Sequence, residues 1–192
     1  MSRPHSPKSG PLLNTSEGDS PSVVELREVS LNFGEKEVLD RISLAVAPQE
    51  RLVIIGQSGM GKTTMLRLIL GVIQPTGGSI VFNGQDISHF TRPELQQVRT
   101  RSGMVYQDAA LLSSISVRAN LALPLEELTT KTPGEIDRIV EEKLDLVEMR
   151  GEGETMPFEL SGGMRKRVGL ARALIMEPEL ILSTSRLGDL IR

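Results

Sequence analysis

Two stretches near the start of the chain alternate apolar and polar positions. Residues 23–31 and 38–46 place Val, Leu or Ile between charged or polar neighbours, which is the period-two pattern of a strand with one buried face. Residues 79–82 and 85–87 flank an Asn-Gly pair at 83–84, and that dipeptide is typical of a tight hairpin turn. These patterns predict an antiparallel β layer.

Apolar positions in the second half of the chain recur at helical spacing and predict helices over 117–123, 133–149 and 162–175. One face of the middle segment carries Ile136, Ile139, Val140, Leu144 and Val147. Shorter apolar runs at 51–55, 103–106 and 179–182 favour buried strands. We expect the last of these runs to lie beside the first in a parallel sheet. The predicted fold class is α/β with a helical insertion.

A glycine-rich motif of the form G-x-x-x-x-G-K-[ST] follows the apolar run at 51–55 and precedes a helix-like stretch at 64–70. Its residues are Gly56, Gln57, Ser58, Gly59, Met60, Gly61, Lys62 and Thr63, and Thr64 continues into the helix. Such a loop wraps phosphates with backbone N–H groups, the lysine reaches the terminal phosphates, and the Thr63 hydroxyl is available to Mg²⁺. The motif predicts a site for a nucleoside triphosphate, ATP with Mg²⁺.

Composition narrows the class further. The 192 residues are 39% hydrophobic and suit one globular domain. The formal net charge of -3 argues against nucleic acid as a partner, and the absence of cysteine excludes disulfides and thiolate metal sites. No apolar stretch of the sequence approaches the length needed to cross a bilayer. Residues 1–21 are rich in Ser, Pro and Gly and are predicted to be a disordered tail.

A second candidate anion site begins at Leu160-Ser161-Gly162-Gly163-Met164, which opens a predicted helix rich in Arg and Lys. A helix cap with flexible glycines is the alternative. The order of motifs, a P-loop, then Gln107 after a strand, then this pentapeptide, resembles the ATP-binding-cassette (ABC) ATPases over about residues 23–182. The resemblance implies a P-loop NTPase core carrying a helical subdomain at about 108–175.

The resemblance also implies roles for individual residues. Phe33 matches the aromatic that stacks on adenine; a core or edge-strand Phe is the alternative, because a single aromatic is a weak signal. Gln107 matches the glutamine that contacts Mg²⁺ and the attacking water, but a structural turn glutamine would look the same. Ser161, Gly162 and Gly163 match the signature loop, which in this family reaches the γ-phosphate held by the other subunit of a head-to-tail dimer.

The stretches 106–112, 117–125 and 160–167 are similar to ATPases of Mce-type lipid transport systems, as in bacterial outer-membrane lipid asymmetry maintenance and the chloroplast lipid importer. Residues 120–126 are also similar to methionine-importer ATPases. The implied partners are a transmembrane permease subunit and a second nucleotide-binding subunit. The implied location is cytoplasmic, peripheral on the inner or plasma membrane, or the stromal side in a chloroplast.

The similarity ends abruptly after residue 182. The family's Mg²⁺-shell Asp falls on Thr184 and its water-polarising Glu on Ser185, and neutral hydroxyls are weak bases near neutral pH. We therefore expect an incomplete nucleotide-binding domain at 22–182 with the last sheet strands missing, a divergent tail at 183–192, and little or no hydrolysis. The expected origin is a frameshift, a splice variant or a gene fragment. A non-catalytic regulatory or decoy subunit is the alternative function.

Overall fold

The computed structural model describes residues 22–184. The predicted disordered tail at 1–21, the Ser185 position and most of the divergent tail lie outside the described residues. In chain order the elements are β1 (Val24–Phe33), β2 (Lys36–Val46), α1 (Lys62–Ile69), β3 (Gly77–Phe82), β4 (Gln85–Asp86), α2 (Arg92–Thr100), β5 (Ser102–Val105), α3 (Val117–Leu128), α4 (Pro133–Leu146), α5 (Gly162–Leu174) and β6 (Leu180–Ser183).

The first sheet is antiparallel and has the strand order β2-β1-β3-β4. Val24 pairs with Val46 of β2 on one side and with Phe82 of β3 on the other. Between β3 and β4, Asn83 and Gly84 both have positive φ, 46° and 77°, as a two-residue primed turn requires. The predicted antiparallel layer and its Asn-Gly hairpin are confirmed.

The second sheet corrects one prediction. β6 pairs in parallel with β5, with Met104 opposite Leu182, and not with the apolar run at 51–55. That run forms no strand; Val53 is 57% exposed and Ile55 is 91% exposed. An apolar run becomes a strand only when a neighbour satisfies its backbone N–H and C=O groups, and within residues 22–184 none does so for 51–55.

The helices follow the predicted positions, with one addition. The predicted helix at 117–123 continues to Leu128 through Pro124, and the one at 133–149 ends as α4 at Leu146. α2 was not predicted. Its N-cap is Thr91, whose backbone N–H donates to Glu94 Oε2 over 2.7 Å in a capping box, so its sequence signal is the Thr-x-x-Glu spacing.

Buried side chains form two clusters. The first lies between the antiparallel sheet, α1 and α2 and includes Leu26, Leu68, Ile80 and, from β6, Leu182. The second is made by α3, α4 and α5, and its largest fully buried side chains include Leu121, Leu125 and Leu144. The P-loop helix α1 and the signature helix α5 therefore belong to different cores.

Among the described helices, none is long and apolar enough to cross a membrane.

Candidate nucleotide-binding site

The P-loop curls around the side chain of its own lysine. The Lys62 ammonium donates to the backbone carbonyls of Gly56 over 2.7 Å and Gln57 over 2.6 Å. Gly59 and Gly61 have φ of 84° and 80°, a left-handed conformation that glycine adopts at little cost. These two glycines allow the backbone to turn sharply enough to surround the ammonium, so a cation lies at the centre of the loop.

The start of α1 adds a second favourable feature for an anion. Helix α1 begins at Lys62 with Gly61 as its N-cap, and within the described part of the chain no side chain caps it. The first N–H groups of a helix lack intrahelical partners and carry the positive end of the helix dipole. Thr63 and Thr64 lie in this first turn, and Thr63 is exposed. Donors and positive charge thus converge at one point.

The β1–β2 hairpin supports the P-loop. A Cβ placed on Gly61 would lie 3.0 Å from Leu39 Cδ2 and 3.2 Å from the Val38 carbonyl oxygen, so only glycine fits comfortably against this hairpin. Phe33 is at the tip of the same hairpin, paired with Lys36, and is 57% exposed. Its ring is not a core side chain, which excludes the core alternative; the adenine-stacking role stays a prediction. The sequence analysis did not single out Leu39, because its only signal is an apolar position in the alternating pattern of β2.

Gln107 lies in the loop that follows β5. Its backbone N–H donates to Thr184 Oγ1 over 3.1 Å, and the Thr184 N–H donates to the Val105 carbonyl over 3.1 Å. The structure therefore brings Gln107 together with the position at which the ABC resemblance expects the Mg²⁺-shell Asp. The Gln107 side chain is exposed. The proposed contact of Gln107 with Mg²⁺ stays a prediction.

The signature residues form the start of α5. Ser161 is the N-cap, and its hydroxyl accepts from the Met164 N–H over 3.2 Å. Gly162 and Gly163 are exposed, and a Cβ on either would meet nothing closer than 3.9 Å. The helix-cap alternative is thus observed, while the glycines leave an open surface beside the helix N-terminus. These two features coexist, because the hydroxyl of the capping Ser161 accepts from the Met164 N–H and does not cover the neighbouring N–H groups.

The two candidate oxygen ligands for Mg²⁺, Thr63 and Gln107, are neutral. Across residues 22–184, no group of three or more His, Asp or Glu side chains is placed to hold a metal ion. Mg²⁺ in nucleotide sites is commonly held by the phosphates, water and one or two protein oxygens. The hydroxyl of Thr63 and the side-chain amide of Gln107 stay the predicted protein ligands of a metal that arrives with a triphosphate.

The comparison with known proteins agrees with this fold. Residues 39–183 match the family model described as ABC transporter. The chain therefore belongs to the ABC transporter family, and its fold is that of an ABC ATPase cassette, an α/β P-loop NTPase.

Two kinds of relative illustrate the similarity. The intermembrane phospholipid transport system ATP-binding protein MlaF of Escherichia coli (strain K12) is 43% identical over 161 residues, which are 84% of this chain and 60% of MlaF. The probable ribonucleotide transport ATP-binding protein mkl of Mycobacterium leprae (strain TN) is 41% identical over 159 residues, 83% of this chain and 46% of that protein. The chain thus spans between about half and three fifths of the length of these relatives.

Solved structures give the same fold. The ATP-binding cassette MJ0796, in a dimeric post-hydrolysis state bound to ADP and Pi, matches with a TM-score of 0.76 and 30% identity, covering 83% of this chain and 72% of that one. The chain cbiO1 from Clostridium perfringens, part of the ABC transporter complex cbiONQ, also matches with a TM-score of 0.76, at 26% identity, over 85% of this chain and 65% of that one.

Proposed function

We propose that this chain is the ATP-binding subunit of an ABC transporter of the Mce lipid-transport type. The observation that carries the nucleotide part is the Lys62 ammonium held by the Gly56 and Gln57 carbonyls at the uncapped start of α1. Charge-assisted contacts to phosphate oxygens are stronger than those to neutral carbonyls. ATP phosphates therefore replace the carbonyls as partners of Lys62 when the nucleotide binds.

Thr63 would offer a hydroxyl oxygen, and Gln107 an amide oxygen, to a Mg²⁺ ion bound with the nucleotide, and the ion would neutralise part of the triphosphate charge. Thr184 contributes a neutral hydroxyl that already accepts from the Gln107 N–H. Because a hydroxyl is a poor general base near neutral pH, the residues in place support binding of ATP with little hydrolysis by this chain.

The lipid cargo rests on the MlaF relatives and on the motif resemblance at 106–112, 117–125 and 160–167. The mkl relatives are named for ribonucleotide transport, so phospholipid and ribonucleotide are the two cargo classes to compare. A methionine-like cargo rests only on residues 120–126. The proposed partners are a transmembrane permease and a second cassette, which would place the chain at the cytoplasmic face of the inner or plasma membrane, or at the stromal face in a chloroplast.

A regulatory subunit that binds ATP without hydrolysing it is the second candidate function. It is favoured by Thr184 at the position of the Mg²⁺-shell Asp. In such a role the chain would offer Ser161, Gly162 and Gly163 to the ATP held by an intact partner cassette. The mixed dimer would then have one competent site and one incompetent site.

Calorimetric titration with ATP in the presence of Mg²⁺ tests the nucleotide step, and saturable binding with release of heat is expected. For cargo, the Thr184→Asp, Ser185→Glu form of the chain, which restores the two missing carboxylates, is combined with its permease in vesicles, and transfer of labelled phospholipid, ribonucleotide and methionine is compared. Phospholipid transfer that depends on the chain supports the proposal, and transfer of either other cargo alone contradicts it. Transfer that falls when this chain is titrated against an active cassette identifies the regulatory function.

A further inference from the structure

The loop after β5 is held in an unfavourable backbone conformation. Ala109 and Ala110 have φ of 59° and 50°, in the left-handed region that costs free energy for a residue with a Cβ. The Ala109 N–H donates to the Tyr106 carbonyl over 3.0 Å, and the Ala110 N–H donates to the Asp108 carbonyl over 2.7 Å. Two adjacent alanines of this kind need outside contacts to stabilise them.

Helix α5 supplies those contacts. Ala109 is only 2% exposed, and it lies directly on Gly169. A Cβ on Gly169 would be 2.9 Å from Ala109 Cβ and 3.1 Å from Ala109 Cα. Any side chain at 169 would therefore push the loop away from the helix, whereas glycine allows backbone and methyl group to touch.

A polar contact lies one turn further along the same helix. The Arg172 guanidinium donates from Nη2 to the Ala109 carbonyl over 3.1 Å. Burial of this guanidinium lowers the pKa of Arg172 from its ordinary value, which reflects a loss of hydration around the charge. A partly dehydrated cation gains more from a carbonyl dipole than one in water does, so the Arg172 contact is well suited to hold the loop.

We propose that Gly169 and Arg172 are positioning residues that latch the Gln107 loop onto α5. This helix begins at the Ser161–Gly163 loop, and it rises by about 1.5 Å per residue, so the latch lies about 10 to 15 Å along a rigid helix from Gly162. Through the latch, any displacement of the Gln107 loop displaces the helix that carries the signature loop. The functional meaning of the link rests on the proposed ATP-binding function, but the latch itself does not.

The latch is tested without nucleotide, so that its outcome is independent of ATP binding. Amide hydrogen exchange is measured for Ala109 and Ala110 in the wild-type chain and in Arg172→Met, which keeps the apolar stem and removes the donor. Loss of a hydrogen bond from a charged group predicts about tenfold faster exchange at these two amides. Arg172→Lys, which restores a charged donor, should recover part of the protection. Arg167→Met is the matched control, because Arg167 lies on the same helix but pairs with Glu148.

Tyrosine fluorescence gives a second readout of the same loop. Tyr106 is the only tyrosine of the chain, which has no tryptophan, and it lies beside the Gln107 position. Gly169→Ala should raise quenching of Tyr106 by acrylamide, since the added methyl displaces the loop. Exchange at Val140 and Leu144, in the core of α4, should stay unchanged in all variants and shows that each is folded.

Faster loop exchange in Arg172→Met, with partial recovery in Arg172→Lys and no effect of Arg167→Met, supports the latch. Equal exchange and equal Tyr106 quenching in wild type, Arg172→Met and Gly169→Ala would overturn it. Exchange that rises equally in the loop and at Val140 and Leu144 would also overturn it, because Arg172 would then stabilise the fold as a whole. None of these outcomes depends on whether ATP binds, which the titration in the previous section decides separately.

Discussion

The hydroxyl of Thr184 accepts a hydrogen bond from the backbone N–H of Gln107 over 3.1 Å. The contact ties the end of β6 to the loop after β5, directly beyond the parallel pairing of Val105 with Ser183. In the ABC resemblance this position belongs to an Asp, which would bring negative charge to the Mg²⁺ shell. Thr184 brings a neutral oxygen that is already engaged with the backbone.

We expect this chain to hydrolyse ATP no faster than its Lys62→Ala variant, because no carboxylate stands at the Thr184 and Ser185 positions. Phosphate release under saturating ATP and Mg²⁺ measures this. The paired substitution Thr184→Asp and Ser185→Glu should raise turnover by about 10²-fold or more, the usual contribution of a positioned general base. Wild-type turnover that disappears in Lys62→Ala would contradict the expectation.

Lys62→Ala should weaken ATP binding by about tenfold to a hundredfold, since it removes a charge-assisted hydrogen bond worth about 1.5–3 kcal/mol. Isothermal titration calorimetry measures the affinities. Lys131→Ala is the control, as Lys131 is an exposed lysine in the connection before α4. Equal affinities for wild type and Lys62→Ala would place the phosphates away from the loop.

Gly162→Glu should leave the melting temperature nearly unchanged but weaken ATP-dependent dimerisation. A side chain at 162 has room within the chain, and an acidic residue in the first turn of a helix is favourable. Facing a γ-phosphate across an interface, it should weaken association by more than about tenfold, since like-charge juxtaposition there costs several kcal/mol.

Sedimentation with and without ATP reports the dimer. Gly134→Glu is the matched control, because Gly134 lies in the first turn of α4 and also has open space around it. If Gly162→Glu dimerises as the control does, the signature loop does not face the partner's nucleotide.

Stability should fall in acid through Glu179. Arg101 holds the pKa of Glu179 below its ordinary value of 4.5, chiefly by a two-point hydrogen bond at 2.7 and 2.9 Å, with a further contribution from Asn83. A lowered folded-state pKa gives stability that is present above the unfolded value and is lost as pH falls through the folded value.

Urea unfolding at a series of acidic pH values should therefore show a smaller loss of stability in Glu179→Gln than in wild type. Both proteins should be less stable in acid than at neutral pH. The effect is modest, since both partners are well exposed. Glu127→Gln, on the exposed side of α3, is the control. Identical pH profiles for wild type and Glu179→Gln would show that Glu179 does not contribute to the loss of stability in acid.

Local signals predicted most of the fold. The hairpin at 83–84 is fixed by two residues that accept positive φ, and α4 by the spacing of Ile136, Val140 and Leu144. Because each of these patterns acts within one element, the sequence alone was sufficient. The P-loop was equally local, since its lysine binds carbonyls of its own loop.

Pairing between distant segments was not predictable in the same way. The run at 51–55 has the composition of a buried strand, yet β6 lies beside β5 and the run is exposed. Nothing in a short apolar run states which segment it pairs with. The role of Gly169 could not be predicted for the same reason. It depends on contact with Ala109, which is sixty positions away in sequence and is brought close only by the fold.

The two hydrophobic clusters have, within residues 22–184, no buried residue in common. The helical cluster draws on one continuous stretch, from Val117 to Ile175, whereas the sheet cluster takes Leu180 and Leu182 from the far side of that stretch. Closing a longer loop costs more chain entropy, and contacts distant in sequence form late. The order of folding follows: the helical cluster can assemble first, and the return of β6 then completes the sheet core.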